Sequence, residues 1–109
     1  MGGAGIVAAH AASLGSKAYL VSVCGEDESG KWINKRLSEA FVKSNIVFDP
    51  SRPTTLKKRY RATGQTLLRV NESRDHELDN QIEEKVIRYA LDNLSEADVL
   101  IFSDFSYGT

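Results

Sequence analysis

Small apolar residues dominate from Ala4 to Leu14, and a leucine followed by Gly15 ends the run, which predicts a buried helix with a glycine stop. The next stretch, Ala18-Tyr19-Leu20-Val21-Ser22-Val23-Cys24, is nearly continuous β-former. That is the pattern of a strand covered on both faces in a parallel sheet, and Gly25 closes it. After Glu26-Asp27, which suit a helix N-terminus, Trp32, Ile33, Leu37, Ala40 and Phe41 recur at helical spacing and predict a second helix to about residue 42.

Asn45 to Asp49 reads as a short strand and Pro50 to Pro53 as a turn. Two further arms, Thr55 to Ala62 and Gln65 to Asn71, flank Thr63-Gly64, a two-residue connection whose glycine suits a tight hairpin turn. The first arm carries Lys57, Lys58, Arg59 and Arg61, too polar for a central strand and fitted to a flap with a solvated face. Residues 72–78 read as a loop. Ile82, Val86, Tyr89, Ala90 and Leu94 then space out a third amphipathic helix from about Asp79, and Val99 to Ser103 reads as a last strand, followed by the loop Asp104-Phe105-Ser106-Tyr107-Gly108.

Alternating strands and helices around an inserted hairpin make an α/β architecture. Residues 1–44 and 79–109 form its core, and 45–71 form a β lid. Two central strands leave edges unpaired and an apolar face uncovered, and no strand precedes the opening glycines. The chain is therefore expected to be a fragment of a larger domain.

Composition narrows the partners. A chain of 109 residues with formal net charge -1 gives no electrostatic reason for a nucleic-acid or acidic-membrane partner. One cysteine, Cys24, forms no internal disulfide and calls for no oxidising compartment. The N-terminal apolar run lacks a basic flank and is shorter than the roughly 18 residues of a membrane span. A cytoplasmic setting is expected.

The motifs carry the chemistry. Gly2-Gly3-Ala4-Gly5-Ile6-Val7-Ala8, followed by Leu14-Gly15, resembles the first signature of the ribokinase-like (PfkB-type) carbohydrate kinases. Val23-Cys24-Gly25-Glu26-Asp27-Glu28-Ser29-Gly30 resembles their strand followed by G-D-D-x-x-G. Thr54-Thr55 leads into a basic strand, Gln65-Thr66-Leu67-Leu68-Arg69-Val70-Asn71 resembles the returning lid strand, and Ser103-Asp104-Phe105-Ser106-Tyr107-Gly108 the S-D-Y-x-K-G turn. The match runs through the whole chain in order and is best to bacterial heptose-phosphate kinases.

The resemblance implies a ribokinase-like three-layer sandwich with a hairpin lid. It also implies transfer of the ATP γ-phosphoryl group to a hydroxyl of a sugar or sugar phosphate, with magnesium. Gly2 and Gly3, without Cβ atoms, admit a hydroxyl or phosphate against backbone N–H groups at a helix start; as a plain helix-start turn they need no ligand. Lys57, Arg59 and Arg69 suit a sugar phosphate, or are simply solvated strand cations. Asp104, after an apolar strand, is placed to accept from a hydroxyl or to cap its own loop. Helix capping explains Asp27, while His10 and Cys24 read as core residues. No metal ligands stand out.

Several positions depart from the family pattern: Ile6 stands where an asparagine usually contacts the sugar, Asn71 where an acidic residue closes the lid strand, and Tyr107 where the turn carries lysine. The family's catalytic base lies in a G-A-G-D motif that these residues lack, so it is expected beyond Thr109 and the fragment itself is expected to be inactive. Two other readings remain: a noncatalytic sugar-binding module that dimerises through its lid, and a dinucleotide-binding Rossmann module suggested by the glycine-rich helix start. A homodimer through the hairpin is expected, with Leu56, Tyr60, Leu67 and Val70 at the contact.

Overall fold

The computed structural model of the chain describes residues 1–74 and 76–104. Its elements are α1 (Gly3–Ser13), β1 (Tyr19–Gly25), α2 (Glu28–Glu39), β2 (Lys43–Asp49), β3 (Leu56–Ala62), β4 (Gln65–Glu72) and α3 (Asn80–Leu94). The strands form two separate two-stranded sheets, β1 parallel to β2 and β3 antiparallel to β4. The fold is thus mixed α/β, with the hairpin in its own sheet.

The parallel pair runs in register from Tyr19 opposite Lys43 to Gly25 opposite Asp49. Residues 45–49, grouped above with the lid, therefore belong to the parallel sheet, because α2 is the crossover that brings β2 beside β1. Ala8, Leu37 and Val42 form the core, with Leu20, Ile33 and Ile46 packed against it. Leu37 is fully buried, worth about 2 kcal/mol of transfer free energy. α1 meets α2 at Gly5, where a Cβ would lie at ordinary contact distance, 3.7 Å, from the Leu37 side chain. α3 packs on both strands of the sheet.

Four expectations need correction. α1 is not a buried helix: only Gly5 and Ala8 are buried, while Ile6 and Val7 are exposed and His10 lies on the solvent side, so His10 is no core histidine. A short helix lying on one sheet buries a stripe, however apolar its other face. Trp32 is exposed, with Arg36 stacked over its ring, and Phe41 is exposed as well. Val99 to Ser103 form no strand; Val99, Leu100, Ile101 and Phe102 are all exposed. A β-rich sequence becomes a strand only where a neighbour supplies the ladder, and among the described residues none pairs with it.

Local signals set the remaining boundaries. The Asp27 side chain caps α2 through the Gly30 N–H, and Asp79 caps α3 through the Gln81 N–H. Thr63 and Gly64 both have positive φ, 47° and 81°, the turn that the two-residue hairpin connection requires. α2 ends in a Schellman motif: the Val42 N–H donates to the Leu37 carbonyl and the Phe41 N–H to the Ser38 carbonyl. Phe41 occupies the left-handed position of that motif, at φ 58°, where glycine is free of strain. Its ring is 89% exposed and contributes little burial. Phe41→Gly should therefore raise stability by about 1 kcal/mol, the relief of a left-handed Cβ clash; an unchanged or lower urea midpoint contradicts this account.

Candidate functional site

The carboxyl ends of β1 and β2 carry the densest polar structure. Gly25, the last residue of β1, has no room for a side chain: a Cβ would lie 2.5 Å from both the Arg52 carbonyl oxygen and the Thr54 nitrogen. The segment 52–54 thus passes directly over the end of β1. Gly30 is held the same way, with the Gly25 carbonyl 2.5 Å and the Thr54 hydroxyl 3.1 Å from where its Cβ would be. Between these glycines Asp27 does more than cap α2. Its Oδ1 accepts from the Gly30 N–H at 2.8 Å and from the Thr54 hydroxyl at 2.7 Å, and its Oδ2 accepts from the Thr54 N–H at 2.8 Å. The Thr54 hydroxyl and amide, followed by the α2 amides, hold the Asp27 carboxyl below its usual range despite partial burial.

A second carboxylate, this one buried, sits at the end of β2. Asp49 accepts from Ser51 through both amide and hydroxyl, and its Oδ2 is 2.9 Å from Arg52 Nε, with both side chains of this ion pair buried. Burial acts most strongly on Asp49 and favours its neutral form, but the two Ser51 bonds and the Arg52 charge together outweigh it and lower the pKa. Arg52 Nη2 also donates to the His76 carbonyl at 2.8 Å and stands 3.1 Å from His76 Nδ1, while Arg74 donates to the Ser51 carbonyl at 3.3 Å. A cleft of about 450 Å³, lined by Glu26, Asp27, Ser51, Arg52 and Arg74 and by prolines 50 and 53, opens beside this network.

The hairpin separates its side chains by face. Arg59 lies directly opposite Arg69, and Lys57 opposite Asn71, so with Arg61 one face is strongly cationic. Like charges paired across a ladder oppose each other, a cost that an anion between them would reverse. The other face carries Leu56, Tyr60, Leu68 and Val70 beside a Lys58–Glu72 ion pair. A register shift after Tyr60 puts Leu68, not Leu67, opposite Tyr60, so Leu68 replaces Leu67 on the apolar face expected above. The sequence could not place that bulge.

The other candidates lie apart from these clusters. Gly2 is the N-cap of α1 and Gly3 its first residue, both exposed; α1 has no side-chain cap and no acidic residue in its first turn. Asp104 is exposed and follows an irregular segment instead of a strand, so the structure does not put it at a sheet end. Most of the turn to Gly108, Tyr107 included, lies outside the described residues. Cys24 is buried, as expected of a core residue; burial, reinforced by the Asp27 charge, pushes its thiol up to about 11. Sequence reasoning missed Asp49, Arg52, Thr54 and His76. The available signal was an aspartate ending an apolar strand and an arginine confined between two prolines.

A family model described as pfkB family carbohydrate kinase matches residues 1–108. This chain belongs to the pfkB family. The motif order read from the sequence is thereby supported. Curated relatives include proteins named "Bifunctional protein HldE": 36% identical in Bradyrhizobium diazoefficiens, 35% in Rhodopseudomonas palustris and 31% in Nitratiruptor sp.. Each alignment covers 99% of this chain but only 22–23% of the relative, so the chain spans less than a quarter of their length.

The two lowered carboxylates contribute to the acid behaviour of this pfkB chain. Because their folded pKa values lie below the unfolded ones, the stability they supply is complete above about pH 5 and is lost as pH falls through the folded values. Asp49→Asn should cost about 3 kcal/mol at neutral pH, by leaving Arg52 buried without its anion, and should flatten the acid limb of a urea-midpoint titration. An acid limb as steep as the parent's would show that Asp49 is not responsible.

Proposed function

We propose that these residues are part of an ATP-dependent sugar kinase and supply its sugar-facing half. The cationic hairpin face carries the reading: Arg59 opposite Arg69, with Lys57 and Arg61 beside them, suits a phosphorylated sugar better than a neutral one. In this reading Gly2 and Gly3, exposed at the start of α1, would take a sugar oxygen or phosphate, and Asp104 would accept from a hydroxyl, once the rest of the protein brings them towards the hairpin. The hairpin acts as the lid over the α/β sheet, within a ribokinase-like three-layer sandwich that these residues only begin.

Membership of a kinase family implies ATP and magnesium in a longer protein. The described residues do not fit the metal ion. No group of His, Cys, Asp and Glu among the described residues is arranged to hold a metal ion, and the Asp27 and Asp49 carboxylates are already occupied by Thr54, Ser51 and Arg52. No step through nucleotide or metal is therefore assigned to them, nor is the base. A cytoplasmic setting goes with this kinase reading. No described helix is long and apolar enough to cross a membrane.

A coupled assay with ATP, magnesium and a panel of sugars and sugar phosphates tests this. A longer chain carrying these residues should turn over, and the 109-residue chain alone should not. In the longer chain Arg59→Ala or Arg69→Ala should raise KM for a sugar phosphate about tenfold, the loss of one charge-assisted hydrogen bond, with kcat little changed. Turnover by the short chain, or an unmoved KM, overturns the reading. A longer chain that binds sugar phosphate without turnover favours a binding module instead, in line with Ile6 standing where the family carries asparagine.

The apolar hairpin face points to a homodimer, since a two-stranded ribbon is marginal without cover. Tyr60 and Leu68 are 53% and 54% exposed. Light scattering should show a dimer at high micromolar concentration that Leu68→Lys dissociates; a monomer throughout rules out this contact.

A further inference from the structure

The hairpin buries almost nothing of its own. Along β3 and β4 only Leu56 and Val70 are half-buried, and every other residue is exposed. Packing along the arms therefore does not set its direction, and the two segments that join it to the rest of the chain must do so. The incoming segment, 50–55, is fixed to the body by Thr54 on Asp27 and by its passage over Gly25. Among the described residues that follow β4, His76 is joined to the incoming segment chiefly through one side chain: Arg52 is anchored by Nε on Asp49 of β2 and reaches with Nη2 to the His76 carbonyl, while the Ser51 hydroxyl stands 3.5 Å from the His76 ring.

We infer that Arg52 is a positioning residue that fixes the direction in which the hairpin leaves the sheet, by bridging the end of β2 to the segment that follows β4. The inference rests on the hairpin serving as the sugar-site cover, because it says how that cover is aimed. A guanidinium is suited to this task. Its planar fork donates to two acceptors at fixed angles while staying charged, so one side chain holds a β2 carboxylate and a main-chain carbonyl together. A lysine ammonium, a single point of charge on a flexible stem, would satisfy Asp49 and leave the His76 carbonyl. Arg74, which donates to the Ser51 carbonyl from an exposed position at 3.3 Å, adds a weaker tie between the same two segments. The Asp49 half of the bridge is buried, the His76 half is part-buried and the arms are exposed, so small rotations at Arg52 become large displacements at Gly64.

Residual dipolar couplings of backbone amides test the bridge without any substrate. In the parent chain, couplings from β1, β2, β3 and β4 should fit one alignment tensor. In Arg52→Lys and Arg52→Met the β1–β2 couplings should keep their fit, while the hairpin couplings fit separately and lose about half their magnitude, the signature of an arm moving relative to its base. A merely structural role would instead change all couplings together, or none. Because Arg52→Met leaves Asp49 buried without its cation, the double variant Asp49→Asn/Arg52→Met removes both charges and carries the test if the single one does not fold. One common tensor for the whole chain in Arg52→Lys and in the double variant would overturn the inference. Loss of sugar-phosphate binding in the longer protein with a single tensor retained would count against this role of Arg52, and not against the kinase reading.

Discussion

The buried polar side chains among the described residues, Asp49, Arg52 and Thr54, gather around the passage of residues 52–54 over Gly25. Backbone lies on backbone there, with no space for even one methyl group. Such an approach removes water from amides and carbonyls on both sides, and each buried polar group left without a partner costs about 1–3 kcal/mol. Thr54 and Asp27 meet that demand: the threonine donates twice to the carboxylate and its hydroxyl also approaches the Gly25 carbonyl at 3.3 Å. The glycines of the Gly25-to-Gly30 segment thus create the contact, and the aspartate between them makes it stable. The segment that starts α2, capped by Asp27 as expected, is also the clasp between two parts of the chain.

The clasp also explains why the hairpin can afford its composition. A ribbon that had to pack against the sheet would need apolar residues on the packed face. This one is held at its roots, which leaves one face free for Lys57, Arg59, Arg61 and Arg69. Placing Arg59 opposite Arg69 opposes ladder formation, yet the strands pair because the turn at Thr63-Gly64 and the contacts of the other face compensate. Charge is kept where an anion would relieve it.

Elements whose signals are local were legible in the sequence. The Asp27 and Asp79 caps, the Thr63-Gly64 turn and the strand over Tyr19–Gly25 each depend on residues within a few positions of one another. Two kinds of statement failed for a common reason. Val99 to Ser103 has strand-forming residues, but a strand is a property of a pair, and the sequence does not say whether a neighbour is present. Trp32 and Phe41 fall at helical spacing with Leu37, but periodicity assigns a direction, not a partner, and of the five spaced residues Ile33, Leu37 and Ala40 meet the core.

The clasp itself was illegible because its partners lie 24 to 29 positions apart, yet counting acceptors would have hinted at it. A carboxylate has two oxygens and about four places to accept. Capping α2 uses one of those on Asp27, through Gly30, and an aspartate beside the end of an apolar strand has little water to satisfy the rest. The same count applies to Asp49: Ser51 takes one oxygen, and the other, buried at the end of β2, requires a cation. The nearest arginine downstream, held between Pro50 and Pro53, is Arg52. Unfilled acceptors at strand ends therefore point to long-range contacts that periodicity does not record, and in this chain both point to the segment that carries the hairpin.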